Sequence, residues 1–155
     1  HLAADRLAQY AAAAAVLVAR YGAQLLINSG ALGLDATLRL VESLGLGLHL
    51  TAADLARIEA RPLLDGVPLG ASCHGPDELR KAQRVGVDFA VLGPVHPTAS
   101  HPGVDAMGFA RFARLREDVV LPIYALGGLG AADHDVARAH GAQGIAAIRG
   151  LWPAD

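Results

Sequence analysis

Four histidines, His49, His74, His96 and His101, lie within or just after short apolar runs, beside hydroxyl-bearing residues or glycines. The runs end at Asn28-Ser29-Gly30, His49-Leu50-Thr51, Ser72-Cys73-His74, the segment 93–101, Gly127-Gly128 and Arg149-Gly150. Parallel α/β proteins do their chemistry at the carboxyl ends of strands, which is where polar residues collect in this chain. His1, His134 and His140 are terminal or helical and suit surface or capping roles.

Leu126-Gly127-Gly128-Leu129 precedes a helical segment. Two glycines there serve either a tight turn or a close backbone approach to a phosphate, with the amides of the next helix facing the anion. Gly150 would supply a second phosphate loop. The segment 94–103 combines prolines, hydroxyls and histidine, so Thr98 and Ser100 either donate to a phosphate or diphosphate or sit in a rigid turn. His49, Asp54 and His74 have no fixed metal-ligand spacing. Asp54 alone suits either a single Mg²⁺ contact shared with ligand phosphates or an acidic helix start.

Other chemistries are disfavoured. Lys81, the only lysine, falls on a helix, not on a strand where a Schiff-base lysine would stand. Ser72 is not in a nucleophile elbow. Cys73 and His74 are adjacent on a strand and point to opposite faces, so they do not form a thiol–imidazole pair.

These residues need a scaffold. Helical stretches close on Gly22, Gly45, Gly86 and Gly141, and an apolar run follows each of them. The pattern predicts strands at 24–28, 46–50, 67–72, 88–92, 121–126 and 144–148. Helical periodicity covers 52–60, with Leu55 and Ile58 inward, and 76–85, with Leu79 and Ala82 inward. It also covers 107–115, through Phe109, Phe112 and Leu115, and 131–139. Alternating βα units of roughly 25–30 residues specify a parallel barrel or a doubly wound sheet. A closed (β/α)8 TIM barrel needs eight strands. The chain opens on a helix at a residue other than Met, so its six strands are expected to be strands three to eight of a barrel whose first two lie elsewhere. Something should then cover the two open sheet edges.

The 155 residues are 53% hydrophobic and 18% charged with a net charge of −2, which suits one compact domain over 1–155. That balance offers no basis for nucleic-acid or membrane binding. The uncharged stretch 7–19 is too short to span a bilayer and has no signal-peptide cleavage site, so it is expected to form a largely buried, alanine-rich helix. A cytoplasmic location is the expectation.

With the strand ends assembled, the chain resembles the thiamine phosphate synthase / TenI family from Leu25 to Trp152. Gly47-Leu48-His49-Leu50 with Asp54 resembles its G-x-H-L-x-x-x-D segment, and Gly70-Ala71-Ser72-Cys73-His74 its G-x-S-x-H strand. The segment 88–98 is similar to its D-Y-x-x-x-G-P-x-x-P-T motif, and 122–128 and 144–148 to its last two strands. The wording around Ser72-Cys73-His74 and 147–152 looks most like the domain that follows a Nudix hydrolase in some bacterial proteins.

The resemblance implies a Mg²⁺-assisted transferase that joins hydroxymethylpyrimidine diphosphate to a thiazole phosphate with release of diphosphate. It implies Asp54 as metal ligand, Ser72 beside the reacting pyrimidine, and Thr98 and Ser100 as diphosphate contacts. Gly127, Gly128, Ile148 and Arg149 would hold the thiazole phosphate, with Asn28, His49 and His74 as further substrate contacts. The family's aspartate after the strand asparagine is Ser29 here, and its loop lysine is His101. A histidine of the TenI tautomerases is Pro94, with His96 two residues on as the candidate acid–base. Two further readings follow: a non-catalytic phosphate-binding or regulatory domain beside an upstream Nudix hydrolase or within a homo-oligomer, and a thiazole tautomerase.

Overall fold

The computed structural model describes residues 4–98, 103 and 105–151. Ser100, His101 and Trp152 therefore lie outside the described residues. In chain order the elements are α1 (Ala4–Ala19), β1 (Leu26–Asn28), α2 (Leu34–Leu44), β2 (Gly47–Leu50), α3 (Ala52–Arg57) and β3 (Leu69–Cys73). They continue with α4 (Pro76–Val85), β4 (Phe89–Leu92), α5 (Gly108–Arg116), β5 (Ile123–Leu126), α6 (His134–Ala139) and β6 (Gly144–Ala146). Single 3₁₀ turns at Ser29–Ala31 and Ala131–Asp133 precede α2 and α6.

All six strands are parallel and pair in sequence order. The register sets Asn28 beside His49, Leu50 beside Ala71, Cys73 beside Leu92, and Leu126 beside Ala146, so the strand ends form one continuous rim. Strands β1 and β6 each have one neighbour, and no strand covers either outer edge among the described residues.

Strand alternation sorts the side chains into two faces. Leu48, Leu50, Leu69, Ala71, Cys73, Leu92 and Ala125 are fully buried in the same core as Val41, Leu55, Leu79 and Phe112 from the helices. Each fully buried leucine of this kind contributes about 1.5–3 kcal/mol of transfer free energy. The opposite face is half-buried and carries His49, Ser72, Phe89 and Tyr124. Their aromatic rings form a row, His49 to Phe89 at 6.1 Å and Phe89 to Tyr124 edge-on at 5.7 Å.

Local signals explain most element boundaries. Gly45 and Gly86 close α2 and α4 in the left-handed conformation. Pro76 opens α4 with Asp77 and Glu78 in its first turn. Two strands begin later than the apolar runs suggest, because Pro68 and Pro122 have no N–H to give the ladder. Their carbonyls still accept from Leu48 and Ala90, at 2.9 Å in each case. Helix α3 stops at Arg57, short of residue 60, because Ile58 turns extended. That course brings the Arg61 guanidinium onto both Asp88 carboxylate oxygens, at 3.2 and 2.9 Å, and onto the carbonyls of Val67 and Gly86. Asp88 also accepts from the Leu69 amide at 2.7 Å, so one ion pair fastens the entries of β3 and β4 together.

Helix α1 corrects an expectation. Only Ala11 is buried, Leu7 and Ala15 pack against the core, and Tyr10, Val16 and Leu17 are exposed. The helix precedes an edge strand with a single neighbour, and that leaves little sheet for it to lie on. No helix among the described residues is long and apolar enough to cross a membrane.

Candidate active site

The rim has two halves. At the ends of β1 and β2, side-chain oxygens bind one another. Asn28 accepts from the Gly30 amide at 2.9 Å and caps the turn that follows. Ser29, fully buried, donates its hydroxyl to Asp54 Oδ2 at 2.6 Å and accepts from the Thr51 amide at 2.9 Å. Thr51 donates to the same carboxylate oxygen at 2.9 Å and accepts from the Asp54 amide at 3.1 Å, which makes it the N-cap of α3. The other carboxylate oxygen lies 3.5 Å from exposed Arg57.

This donor set bears directly on Mg²⁺. The ion takes oxygen ligands in near-octahedral order, usually one or two carboxylates plus waters and phosphate oxygens. Here one carboxylate is present, and one of its oxygens already accepts two hydroxyl protons. Among the described residues no three His, Cys, Asp or Glu side chains come together as ligands. The residues at Asp54 do not fit a protein-held Mg²⁺.

Toward the middle of the rim, His49 Nε2 lies 3.0 Å from Ser72 Oγ. Burial pushes the His49 pKa below 6.5, so the ring is neutral at pH 7. Gly70 leaves room for this contact, since a Cβ there would come within 2.8 Å of His49 Nδ1. His74, next along the same face of β3, places Nδ1 2.8 Å from the Gly93 carbonyl. A carbonyl only accepts, so Nδ1 is the protonated nitrogen in this contact. Between them Cys73 faces the core, and burial together with Glu78 pushes its thiol up to about 12. A thiol so rarely ionised is not a nucleophile.

The ends of β4, β5 and β6 enclose a cavity of about 590 Å³. His74, Thr98, Gly127, Gly128, Ile148 and Arg149 line it. A volume of this order suits a small-molecule ligand. The backbone forms its walls: Val95 and His96 donate to the carbonyls of Leu126 and Gly127 at 2.8 and 3.0 Å. A Cβ on Gly93 would lie 2.2 Å from the Leu126 carbonyl oxygen, and one on Gly150 2.2 Å from that of Leu129. At Gly128, with φ +67, it would lie 2.7 Å from both His96 Cβ and the Pro97 carbonyl oxygen. The glycines let three loops interlock, a role separate from any approach to a ligand. Beyond them, the Gly130 amide is already taken by Asp133 at 2.8 Å.

The cavity thus unites His74, Thr98, Gly127, Gly128, Ile148, Arg149 and Gly150 from the residues singled out from sequence. Asn28, His49, Asp54, Ser72 and His96 are not in its lining. His96 meets Phe109 edge-on at 5.4 Å, and Phe109 in turn stacks on His140 at 5.2 Å. The sequence reading missed Ala147 as a lining residue; Thr51, expected from sequence as the cap of α3, does cap it, and what was missed is the bond from its hydroxyl to the Asp54 carboxylate. That bond had a usable signal, a threonine three residues before an acid at a helix start. Ala147 looks like any other core residue.

Comparison with known proteins bears on the family and the fold. A thiamine-phosphate synthase of Desulfitobacterium hafniense (strain DSM 10664 / DCB-2) is 32% identical over 141 residues, which is 87% of this chain and 63% of the relative. The chain therefore spans less than two thirds of that protein. The structure of thiamine phosphate pyrophosphorylase from Pyrococcus furiosus superposes with a TM-score of 0.72 at 17% identity, over 96% of this chain and 68% of that one. FabK from Thermotoga maritima shares the fold at a TM-score of 0.66 and 15% identity, over 94% of this chain and 47% of that one. The family model described as thiamine monophosphate synthase matches residues 1–151, and the chain belongs to that family.

Proposed function

We propose that the cavity at the ends of β4–β6 holds a thiazole phosphate, and that the chain works within a thiamine-phosphate synthase whose six strands here are barrel strands three to eight. In that reaction the thiazole nitrogen lone pair forms a C–N bond to the pyrimidine methylene carbon. The bond from that carbon to the diphosphate oxygen breaks, and its electron pair leaves with diphosphate. The protein's part is to hold the two reactants in line and to meet the negative charge. Arg149 brings a permanent cation and a donor fork to the phosphate. His74, fixed by its Nδ1 contact with the Gly93 carbonyl, lines the same cavity, and Ser72, held by His49, stands on the pyrimidine side.

The observation that supports this reading is the gathering of His74, Thr98, Gly128 and Arg149 around one cavity. Calorimetric titration with thiazole phosphate tests it: micromolar affinity is expected, weakened about tenfold by Arg149→Ala. Absence of heat with the unsubstituted chain would overturn it. The enclosure of Asp54 by Ser29 and Thr51 favours a second reading, a binding or regulatory domain that holds the phosphate without catalysis. Addition of pyrimidine diphosphate separates the two, because only a synthase releases diphosphate.

A further inference from the structure

We propose that Ser29, Thr51 and Asp54 form a hydroxyl–carboxylate clamp standing in place of a divalent-cation site, so that this rim is organised without a protein-bound cation. Two carboxylates facing each other across neighbouring strand ends repel unless a cation lies between them. A serine opposite one carboxylate reverses that demand, because its hydroxyl donates the proton that the carboxylate needs. Ser29 does so at 2.6 Å from within the fully buried core, and its oxygen is occupied in turn by the Thr51 amide. Thr51 fills the second acceptor position on the same oxygen. Of the other oxygens here, that of Asn28 is engaged with the Gly30 amide, and the second Asp54 oxygen lies 3.5 Å from the exposed Arg57 guanidinium. The backbone is drawn in as well: Thr37 donates to the Ser29 carbonyl at 3.3 Å, which ties α2 to the same turn. The side-chain oxygens of Asn28, Ser29 and Thr51 therefore point at protein partners, and the clamp joins the ends of β1 and β2 as a bridging ion would.

The inference concerns the family site and rests on the proposed function only for the identity of the phosphate ligand. The decisive measurement omits that ligand. The full chain is titrated with Mn²⁺ alone, and bound ion is read from the loss of the free-ion electron paramagnetic resonance signal. The unsubstituted chain is expected to show no submillimolar site. Ser29→Asp is expected to gain one such site, at least about tenfold tighter than any residual binding, and Ser29→Asp with Asp54→Asn to lose it. One Mn²⁺ per unsubstituted chain in the submillimolar range, abolished by Asp54→Asn, would overturn the proposal. A folded Ser29→Asp chain that takes up no Mn²⁺ would equally overturn the claim that the clamp occupies a cation position. Should Ser29→Asp not fold, the titration of the unsubstituted chain still decides. If thiazole phosphate binds, its affinity in chelator is expected to stay within about twofold of that in Mg²⁺; a tenfold drop would count against the clamp.

Discussion

At the ends of β1 and β2 the rim is held by side chains that satisfy one another's hydrogen bonds, whereas at the ends of β4–β6 it is held by backbone meeting backbone through glycines. The two constructions fail differently. A polar cluster tolerates small shifts in shape and is sensitive to the loss of one proton or the addition of one charge. An interlock of glycine loops is indifferent to charge and has no room for a single extra carbon.

The largest expected effect tests the second half. Gly128→Ala places a Cβ against His96 and the Pro97 carbonyl at a backbone angle that disfavours it, and should cost on the order of 3 kcal/mol in urea unfolding. A loss near zero would mean that the loops part easily. Next comes the first half: Ser29→Ala leaves Asp54 with one hydroxyl donor where it had two, a loss of about 2 kcal/mol. If Ser29→Ala and Thr51→Ala add independently, the cluster is two separate bonds and the contrast between the halves weakens.

A smaller effect comes from pH. His49 titrates below 6.5 in the folded chain, so between that lowered value and 6.5 the unfolded chain binds more protons. Stability is then constant above 6.5 and falls as pH drops through that window. Thermal melts from pH 7 downward should show the slope, and His49→Gln should flatten it. The smallest effect is that of Arg149→Ala on stability, within about 0.5 kcal/mol, because the residue is exposed. A melting shift well beyond that would show Arg149 to be part of the wall.

Periodicity and punctuation made the scaffold legible. The apolar runs ending at Asn28, Leu50, Leu92 and Leu126 are the strands, and Gly45 and Gly86 end the helices before them. Residue type alone was enough to single out Gly127, Gly128, His74 and Thr98, and the structure gathers these four around one cavity. The rest depends on direction. His96 lies in the right loop, but its ring turns to Phe109. Asp54 has the chemistry of a metal ligand, and the hydroxyls that occupy it come from residues 25 and 3 positions away. Spacing along a chain does not encode which lone pairs are already taken. Helix α1 was misread for a related reason: alanine content reports helicity, while burial depends on what the helix lies against.

The glycine interlock also bears on how such a site can diversify. Loops that hang separately from a scaffold can be lengthened or exchanged one at a time, each trial leaving the others intact. Here Gly93 abuts Leu126, Gly128 abuts His96 and Pro97, and Gly150 abuts Leu129. An insertion in one loop displaces its neighbour. The three are packed as a single cassette, in which a change of shape in one loop reaches the others, so the lining can vary independently only at the side chains that project into the cavity.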